Sequence, residues 1–362
     1  MSKVDKKVAI VYTGAKSWGG IETYLELLFN NATKTKTELT LVSLGAWPLT
    51  EKIRLSGHRV ELFSDIRINL VTILKISRYL KRNKFELIVS QGTVANAYAR
   101  AASFFSNVPS LVTLHSDPFY DYPNSAIRFI YAVIEKLTRF PTKYYIAVSE
   151  YLQKMLLQTG INNTKICVVW NGVEDPLIES HVFSKDTVTI GSIGRLHGVK
   201  NYSELIFACA SFKGANWKLK IVGEGNERQN LEILVSKLGL SEKIEFVGYV
   251  GDVYKELEDI DIYVQPSLSE GFGLTVVEAM LAGKPVIVSP FGSLPELVQN
   301  GKTGIVMKGT DSIDIAEAVN ELLSDKEKAR RLARDGQSFA RTNFGIEKWV
   351  RETEKAYVGA AE

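Results

Sequence analysis

Cysteine is almost missing from this chain. Cys167 and Cys209 are the only two in 362 residues, which excludes a disulfide framework, and neither has the company of a metal-ligand motif. Long apolar runs are missing as well. The N-terminal one, Val8 to Tyr12, is too short for the core of a signal peptide, and none approaches the ~18 apolar residues of a spanning helix. A cytoplasmic protein is expected, at most peripheral on the inner face of the cell membrane. There is no internal repeat, no low-complexity tract and no nucleic-acid-binding motif. The dinucleotide fingerprint is absent too. Gly191, Gly194 and Gly198 stand out of the G-x-G-x-x-G order, and Lys218-Leu219-Lys220 at the next strand lacks the terminal acid, which disfavours NAD.

What is present is the composition of a soluble enzyme with two full cores: 45% hydrophobic and 23% charged. The net charge of +3 hides an asymmetry. Residues 1–180 hold 22 Lys/Arg against 15 Asp/Glu (+7), leaving 22 against 26 (−4) for 181–362. The basic half is the one expected to meet an acidic partner.

In the first half, short β-rich runs alternate with helical stretches. Val8–Tyr12, Leu39–Leu44, Val60–Phe63, Phe85–Ser90, Leu111–His115, Tyr145–Val148 and Ile166–Trp170 read as strands of a parallel α/β sheet. Gly14 to Gly20 follows the first strand and is either a tight turn or a glycine loop able to approach an anion at the helix opened by Ile21-Glu22-Thr23. His115 ends the buried run LVTLH. Strand C-termini line the ligand crevice of a parallel sheet, so this His is either a ligand-facing group or a core histidine bonded to backbone. Ser149 reads as a helix cap.

The second half repeats the pattern. After Trp170-Asn171-Gly172-Val173 and an aperiodic linker, strands are expected at Val188–Ile193, Lys218–Val222, Ile244–Val247, Ile262–Val264, Val286–Val288 and Gly304–Val306. Arg195 and Lys200 sit in the glycine turn after the first of these. They are either solvated surface cations or, as a rigid donor fork and a mobile point charge, a pair able to hold an anion. Asp259 and Asp261 form a D-x-D, which can bind a metal-nucleotide pair; they precede their strand, at the end away from the crevice, and read as structural.

The richest stretch is Gln265 to Gly283, QPSLSEGFGLTVVEAMLAG. Pro266 stops a strand, Gly271 and Gly273 bracket Phe272 where the backbone turns, and Val276, Val277, Met280 and Leu281 fall at helical spacing. The amides of Gly273, Leu274 and Thr275 at the helix start form a seat for a phosphate. Glu270 and Glu278 flank it in an E-x7-E pattern. Carboxylates are poor phosphate ligands, so the two are either a loop Glu in water and a helix Glu capping or pairing, or acceptors of hydrogen bonds from sugar hydroxyls.

Ser269-Glu270 through Glu278-Ala279-Met280, followed by Gly283-Lys284-Pro285-Val286, resembles the donor site of retaining glycosyltransferases of family 4. The resemblance implies the GT-B fold: α/β, with two doubly wound Rossmann-like domains facing a central crevice. It implies that Arg195 and Lys200, in a G-R-L-x-x-x-K segment, bind the donor diphosphate, and that Glu270 orients the donor sugar while Glu278 takes the ribose. Tyr249 and Val250 would line the base. Gly19 and Gly20 would lie between donor phosphate and acceptor, and His115 would position the sugar from the opposite domain. The implied chemistry is sugar transfer from a nucleotide-sugar, a UDP-sugar before a GDP-sugar, to a hydroxyl of a glycan or polyprenol-linked acceptor. No metal or other cofactor is expected. Two rivals share the fold: a nucleotide-sugar 2-epimerase, whose members lack this E-x7-E loop, and a binding-only module.

The expected organisation is 1–173 acceptor side, 174–186 linker, 187–340 donor side, and a C-terminal helix in 341–362 returning to the first domain. Two stretches of the first domain suggest a surface role. In Leu70–Arg82, Leu70, Ile73, Leu74 and Leu80 form one stripe and Lys75, Arg78 and Arg82 another. No Asp or Glu occurs between Asp65 and Glu86, so the basic stripe is either a solvated face or a contact for an anionic membrane. Phe119 to Tyr145 adds Tyr120, Tyr122, Phe129, Tyr131, Phe140 and Tyr144 among Arg128, Arg139 and Lys143.

Overall fold

The computed structural model describes residues 6–14, 18–63, 69–117, 125–178, 182–213 and 216–361, apart from the side chains of 125, 127, 128 and 130–132. Phe119, Tyr120, Tyr122 and the side chains of Arg128 and Tyr131 therefore lie outside the described residues.

Two compact units divide the chain: residues 1–171 with 347–362, and residues 172–346. In the first, β1 (Lys6–Tyr12), β2 (Thr37–Ser43), β3 (Arg59–Leu62), β4 (Leu87–Gln91), β5 (Ser110–Leu114), β6 (Thr142–Ala147) and β7 (Ile166–Val168) pair in parallel in the order β3-β2-β1-β4-β5-β6-β7. Its helices are α1 (Gly20–Asn30), α2 (Pro48–Leu55), α3 (Leu70–Arg82), α4 (Thr93–Ser106), α5 (Ser125–Thr138) and α6 (Glu150–Gln158). The strands are near-continuous apolar runs because helices cover both faces of such a sheet. Val8, Ile10, Leu41, Ile88 and Leu111 are all buried. Ser149 caps α6 as expected, its hydroxyl accepting from the Leu152 amide.

The second unit stacks β8 (Val188–Ile193), β9 (Trp217–Val222), β10 (Ile244–Gly248), β11 (Ile262–Gln265), β12 (Val286–Val288) and β13 (Ile305–Val306) in the order β10-β9-β8-β11-β12-β13. Its helices are α7 (Tyr202–Ala208), α8 (Arg228–Lys237), α9 (Val253–Glu258), α10 (Leu274–Leu281), α11 (Leu294–Leu297), α12 (Ser312–Ser324) and α13 (Lys326–Asn343). One continuous core runs from Val188 and Leu219 through Val264 and Ile287 to Ile315 and Leu332. Each sheet reverses strand order beside its first strand, between β1 and β4 and between β8 and β11. Those switch points are where ligands bind in open α/β sheets.

The chain passes from one unit to the other at Asn171–Gly172, and residues 172–186 belong with the second. Several bonds hold them there: Val173 bridges to Gly345, Tyr254 donates to the Glu174 carbonyl at 2.8 Å, and Arg341 meets Asp175 at 2.7 Å. Asp261 contributes most. Its two oxygens accept from the Phe183 amide at 2.6 Å and the Thr189 amide at 2.9 Å, so it ties the incoming chain to the sheet. Asp259 pairs with Lys185 at 2.8 Å.

The last helix, α14 (Ile346–Ala361), belongs to the first unit, where the Trp349 ring meets Tyr24 edge-on at 5.0 Å and Glu354 accepts from the Lys36 amide. The apolar stripe of α3 differs from the sequence reading. Ile73, Ile76 and Leu80 face inward, while Leu70 is exposed at the first turn, where it precedes the packed part of the helix. Among the described residues no helix is long and apolar enough to cross a membrane.

Candidate active site

The donor-side residues gather on three loops at strand C-termini of the second unit. After β8, the Gly194-Arg195-Leu196 backbone lies directly on the turn after β9. A Cβ at Gly223 would stand 2.0 Å from the Gly194 carbonyl oxygen, and one at Gly225 would stand 2.1 Å from that of Leu196. Only glycine permits this approach. It holds the Arg195 loop by backbone contact and leaves the Arg195 side chain exposed.

Lys200 follows in a short 3-10 turn opened by His197, whose Nδ1 accepts from the Val199 amide. Its Nζ donates to Glu270 Oε1 at 2.5 Å. The same oxygen accepts from Ser267 Oγ at 2.9 Å and from Gln265 Nε2 at 3.1 Å. Gln265 is itself oriented, because its Oε1 accepts from the Tyr263 hydroxyl at 2.6 Å. Three donors thus converge on one oxygen of Glu270, while among the described residues none reaches Oε2. Behind the loop, the Ser293 hydroxyl donates to the carbonyls of Glu270 at 3.1 Å and Phe272 at 2.8 Å. Phe272 is buried and Gly271 lies partly open.

Gly273 then caps α10 in the left-handed region at φ +97°. No side chain fills the cap, and among the described residues the amides of Leu274 and Thr275 have no acceptor, whereas that of Val276 bonds to the Gly273 carbonyl at 3.0 Å. This is an open anion seat at the start of a helix. Glu278 lies one turn further on. No donor among the described residues serves its carboxylate, and burial pushes its pKa up to about 7. A desolvated carboxylate without a donor is completed by a hydroxyl that brings one. At the neighbouring strand end, Tyr249 is 60% exposed and Val250 partly so.

In the first unit, Gly19 caps α1 and Gly20 opens it after β1. Tyr12 at the end of β1 donates to Glu22 at 2.7 Å, which fixes that turn. His115 follows β5 and its Nε2 meets Gln91 Oε1, while the Gln91 amide nitrogen reaches Thr113 Oγ1 at 3.4 Å. With the amide oxygen as acceptor, Nε2 carries the proton and Nδ1 is left as an acceptor. Tyr24 packs edge-on against the ring at 4.6 Å. Burial lowers the His115 pKa to about 3, so the ring is neutral and a weak base. Gln265, Ser267, Tyr263 and Gln91 were missed by sequence reasoning. For Gln265, Ser267 and Gln91 the signal is only a polar side chain at the last position of a buried strand or just beyond it, and Tyr263, inside its strand, gives none.

Two parallel, doubly wound sheets, each with its own switch point, define the GT-B fold. Residues 173–339 match the family profile described as glycosyl transferases group 1, and residues 18–175 match glycosyltransferase family 4. The chain belongs to the family 4 glycosyltransferases. It is 25% identical to the capsular polysaccharide biosynthesis glycosyltransferase CapM of Staphylococcus aureus, over 82% of both chains. The crystal structure of Anabaena HepE in complex with UDP-glucose superposes with a TM-score of 0.86 at 21% identity, covering 98% of this chain and 100% of that one. The lipopolysaccharide outer core galactosyltransferase WaaB gives 0.75 at 18% identity, covering 98% and 99%.

Proposed function

We propose that the chain is a retaining, metal-independent glycosyltransferase that moves a hexosyl or N-acetylhexosaminyl group from a UDP-sugar to a hydroxyl of a glycan or lipid-linked acceptor. The work would serve cell-surface polysaccharide or glycolipid synthesis. The observation that carries this reading is Glu270, with one oxygen held by Lys200, Ser267 and Gln265 and the other turned to no protein donor among the described residues. That arrangement suits a carboxylate that takes a sugar hydroxyl. UDP is favoured because HepE holds UDP-glucose, and the acceptor class because CapM is named for capsular polysaccharide.

In this reading the diphosphate sits on the amides of Leu274 and Thr275 between Arg195 and Lys200. Glu278 accepts from the ribose hydroxyls, Tyr249 and Val250 flank the base, and the neutral His115 positions a sugar hydroxyl. Gly271, Phe272 and Gly273 shape the seat, and Gly19 and Gly20 give the acceptor-side loop. The acceptor oxygen attacks the anomeric carbon on the face from which the diphosphate leaves. The glycosidic C–O bond breaks with its electron pair on the phosphate oxygen, and that oxygen takes the hydroxyl proton. Arg195, Lys200 and the helix start stabilise the charge as it develops, which is where a preorganised site contributes most. The charge a metal ion would bring is already supplied by these groups.

The unit carrying α3 is proposed to meet an anionic membrane through Lys75, Arg78 and Arg82, all exposed. The deciding experiment incubates the purified protein with a panel of nucleotide-sugars and reads thermal shift, slow donor hydrolysis and, with acceptor, the anomeric configuration by NMR. An epimer released from donor alone, or an inverted product, would refute the proposal.

A further inference from the structure

We infer that Tyr24 is the positioning residue for His115, and that the last helix, α14, holds it to that task. This deepens the part given to His115 in sugar transfer and rests on that reading for the rate, though not for the geometry. His115 lies just past β5, half-buried, with Nε2 tied to Gln91. One hydrogen bond fixes a point of a ring but not its plane. The plane is set by Tyr24, whose ring meets the imidazole at 4.6 Å between centroids and 70° between planes, the edge-to-face geometry that aromatic pairs prefer.

Tyr24 in turn has no room to move. It stands one turn into α1 and is 2% exposed. The Trp349 ring meets it edge-on as well, at 5.0 Å and 74°. Trp349, Thr353 and Tyr357 recur every fourth residue along one face of α14, and all are buried. Burial pushes the Tyr24 phenol up to about 12, and the hydroxyls of Tyr357, Thr113 and Thr353 stand around it. Its hydroxyl completes no hydrogen bond of good geometry among the described residues, so packing of the ring rather than bonding of the hydroxyl holds it. Thr113 closes the arrangement. It lies on β5 two residues before His115 and meets the Gln91 amide nitrogen at 3.4 Å, so Tyr24 borders both the imidazole and the residue that steadies its partner.

A residue that only fills the core could be replaced by any apolar side chain of similar size, whereas this role requires an aromatic plane. Leucine at position 24 has no ring edge to present, and it leaves the imidazole free to turn about its Cβ–Cγ bond. That turn breaks the bond from Nε2 to Gln91, and with it the preference for one tautomer. Imidazole nitrogen NMR spectra of the ligand-free full chain test this. His115 is one of four histidines and is assigned by the signal missing from His115→Gln. In the wild type it should show a single neutral form, protonated on Nε2. Tyr24→Leu should show both tautomers in exchange and lower kcat roughly three- to tenfold, the worth of one aromatic pair, with KM for the donor within about twofold of the wild type. Tyr24→Phe keeps the ring and should restore both the single tautomer and the rate. Trp349→Phe, which loosens Tyr24 without removing it, should show a smaller share of the second tautomer, and it carries the test if Tyr24→Leu does not fold. A single Nε2-protonated form in these two variants, or tautomer exchange in Tyr24→Phe, would overturn the positioning role. Exchange in Tyr24→Leu with a wild-type kcat would instead uphold that role and overturn the part given to His115 in transfer.

Discussion

Lys200 Nζ lies 2.5 Å from Glu270 Oε1, and this pair joins the loop after β8 to the loop after β11 across the switch point of the second sheet. One cation therefore fixes a carboxylate proposed to hold the sugar and stands ready for the phosphate that leaves it. The kinetics of substitutions should separate these duties. Lys200→Ala and Arg195→Ala should lower kcat by roughly a hundredfold at saturating donor, because the charge they stabilise develops only in the transition state. Glu278→Ala should raise KM for the donor with kcat little changed. The opposite partition in steady-state rates would reverse the assigned roles.

Gln265 is the least replaceable of the residues behind Glu270. Gln265→Met keeps the volume but removes both the donor to Glu270 and the acceptor for Tyr263. The expected loss is in kcat, about tenfold or more, the value of a hydrogen bond of ~1.5 kcal/mol to a charged group. Donor affinity measured by calorimetry should stay near that of the wild type.

The Glu278 carboxyl, raised to about 7 by burial, binds a proton in the folded chain at pH values where the unfolded chain has already released it. Folded protein holds more protons between the unfolded value near 4.5 and about 7, so stability falls as pH rises through that window and levels off above it. The group contributes on the order of 3 kcal/mol to that fall. Glu278→Gln should flatten this part of the ligand-free Tm–pH curve. A curve parallel to that of the wild type would show that the carboxyl titrates normally.

Treatment with EDTA should leave donor binding and turnover unchanged. Both oxygens of Asp261 are taken by backbone amides, which removes the inner half of the D-x-D as a ligand. Activity lost to EDTA and restored by manganese would overturn the metal-independent reading.

The strands were legible because each is a short β-branched run closed by glycine, proline or a polar residue, and all thirteen expected strands are present, with edges displaced by up to three residues at β6. Glu270 and Arg195 stood out in the sequence because charge in a glycine-bounded loop is conspicuous, and Glu278 because it falls one turn into an otherwise apolar helix. Gln265 did not: a neutral amide ending a buried strand looks like any edge residue until its partners are placed around it. Leu70 misled for the converse reason, since periodicity marks a stripe without saying where along the helix packing begins.

The position of α14 sets an order of events during synthesis. Trp349 and Tyr357 are buried in the unit that begins at the N-terminus, yet a ribosome emits the whole of residues 172–346 before it reaches them. The second unit, contiguous in sequence, can close its core while the first still waits for a helix not yet made. Tyr24, packed against Trp349, thus reports the completion of the first unit: in nascent chains stalled at Ile346 it should be open to solvent and to proteases, and in chains that include α14 covered.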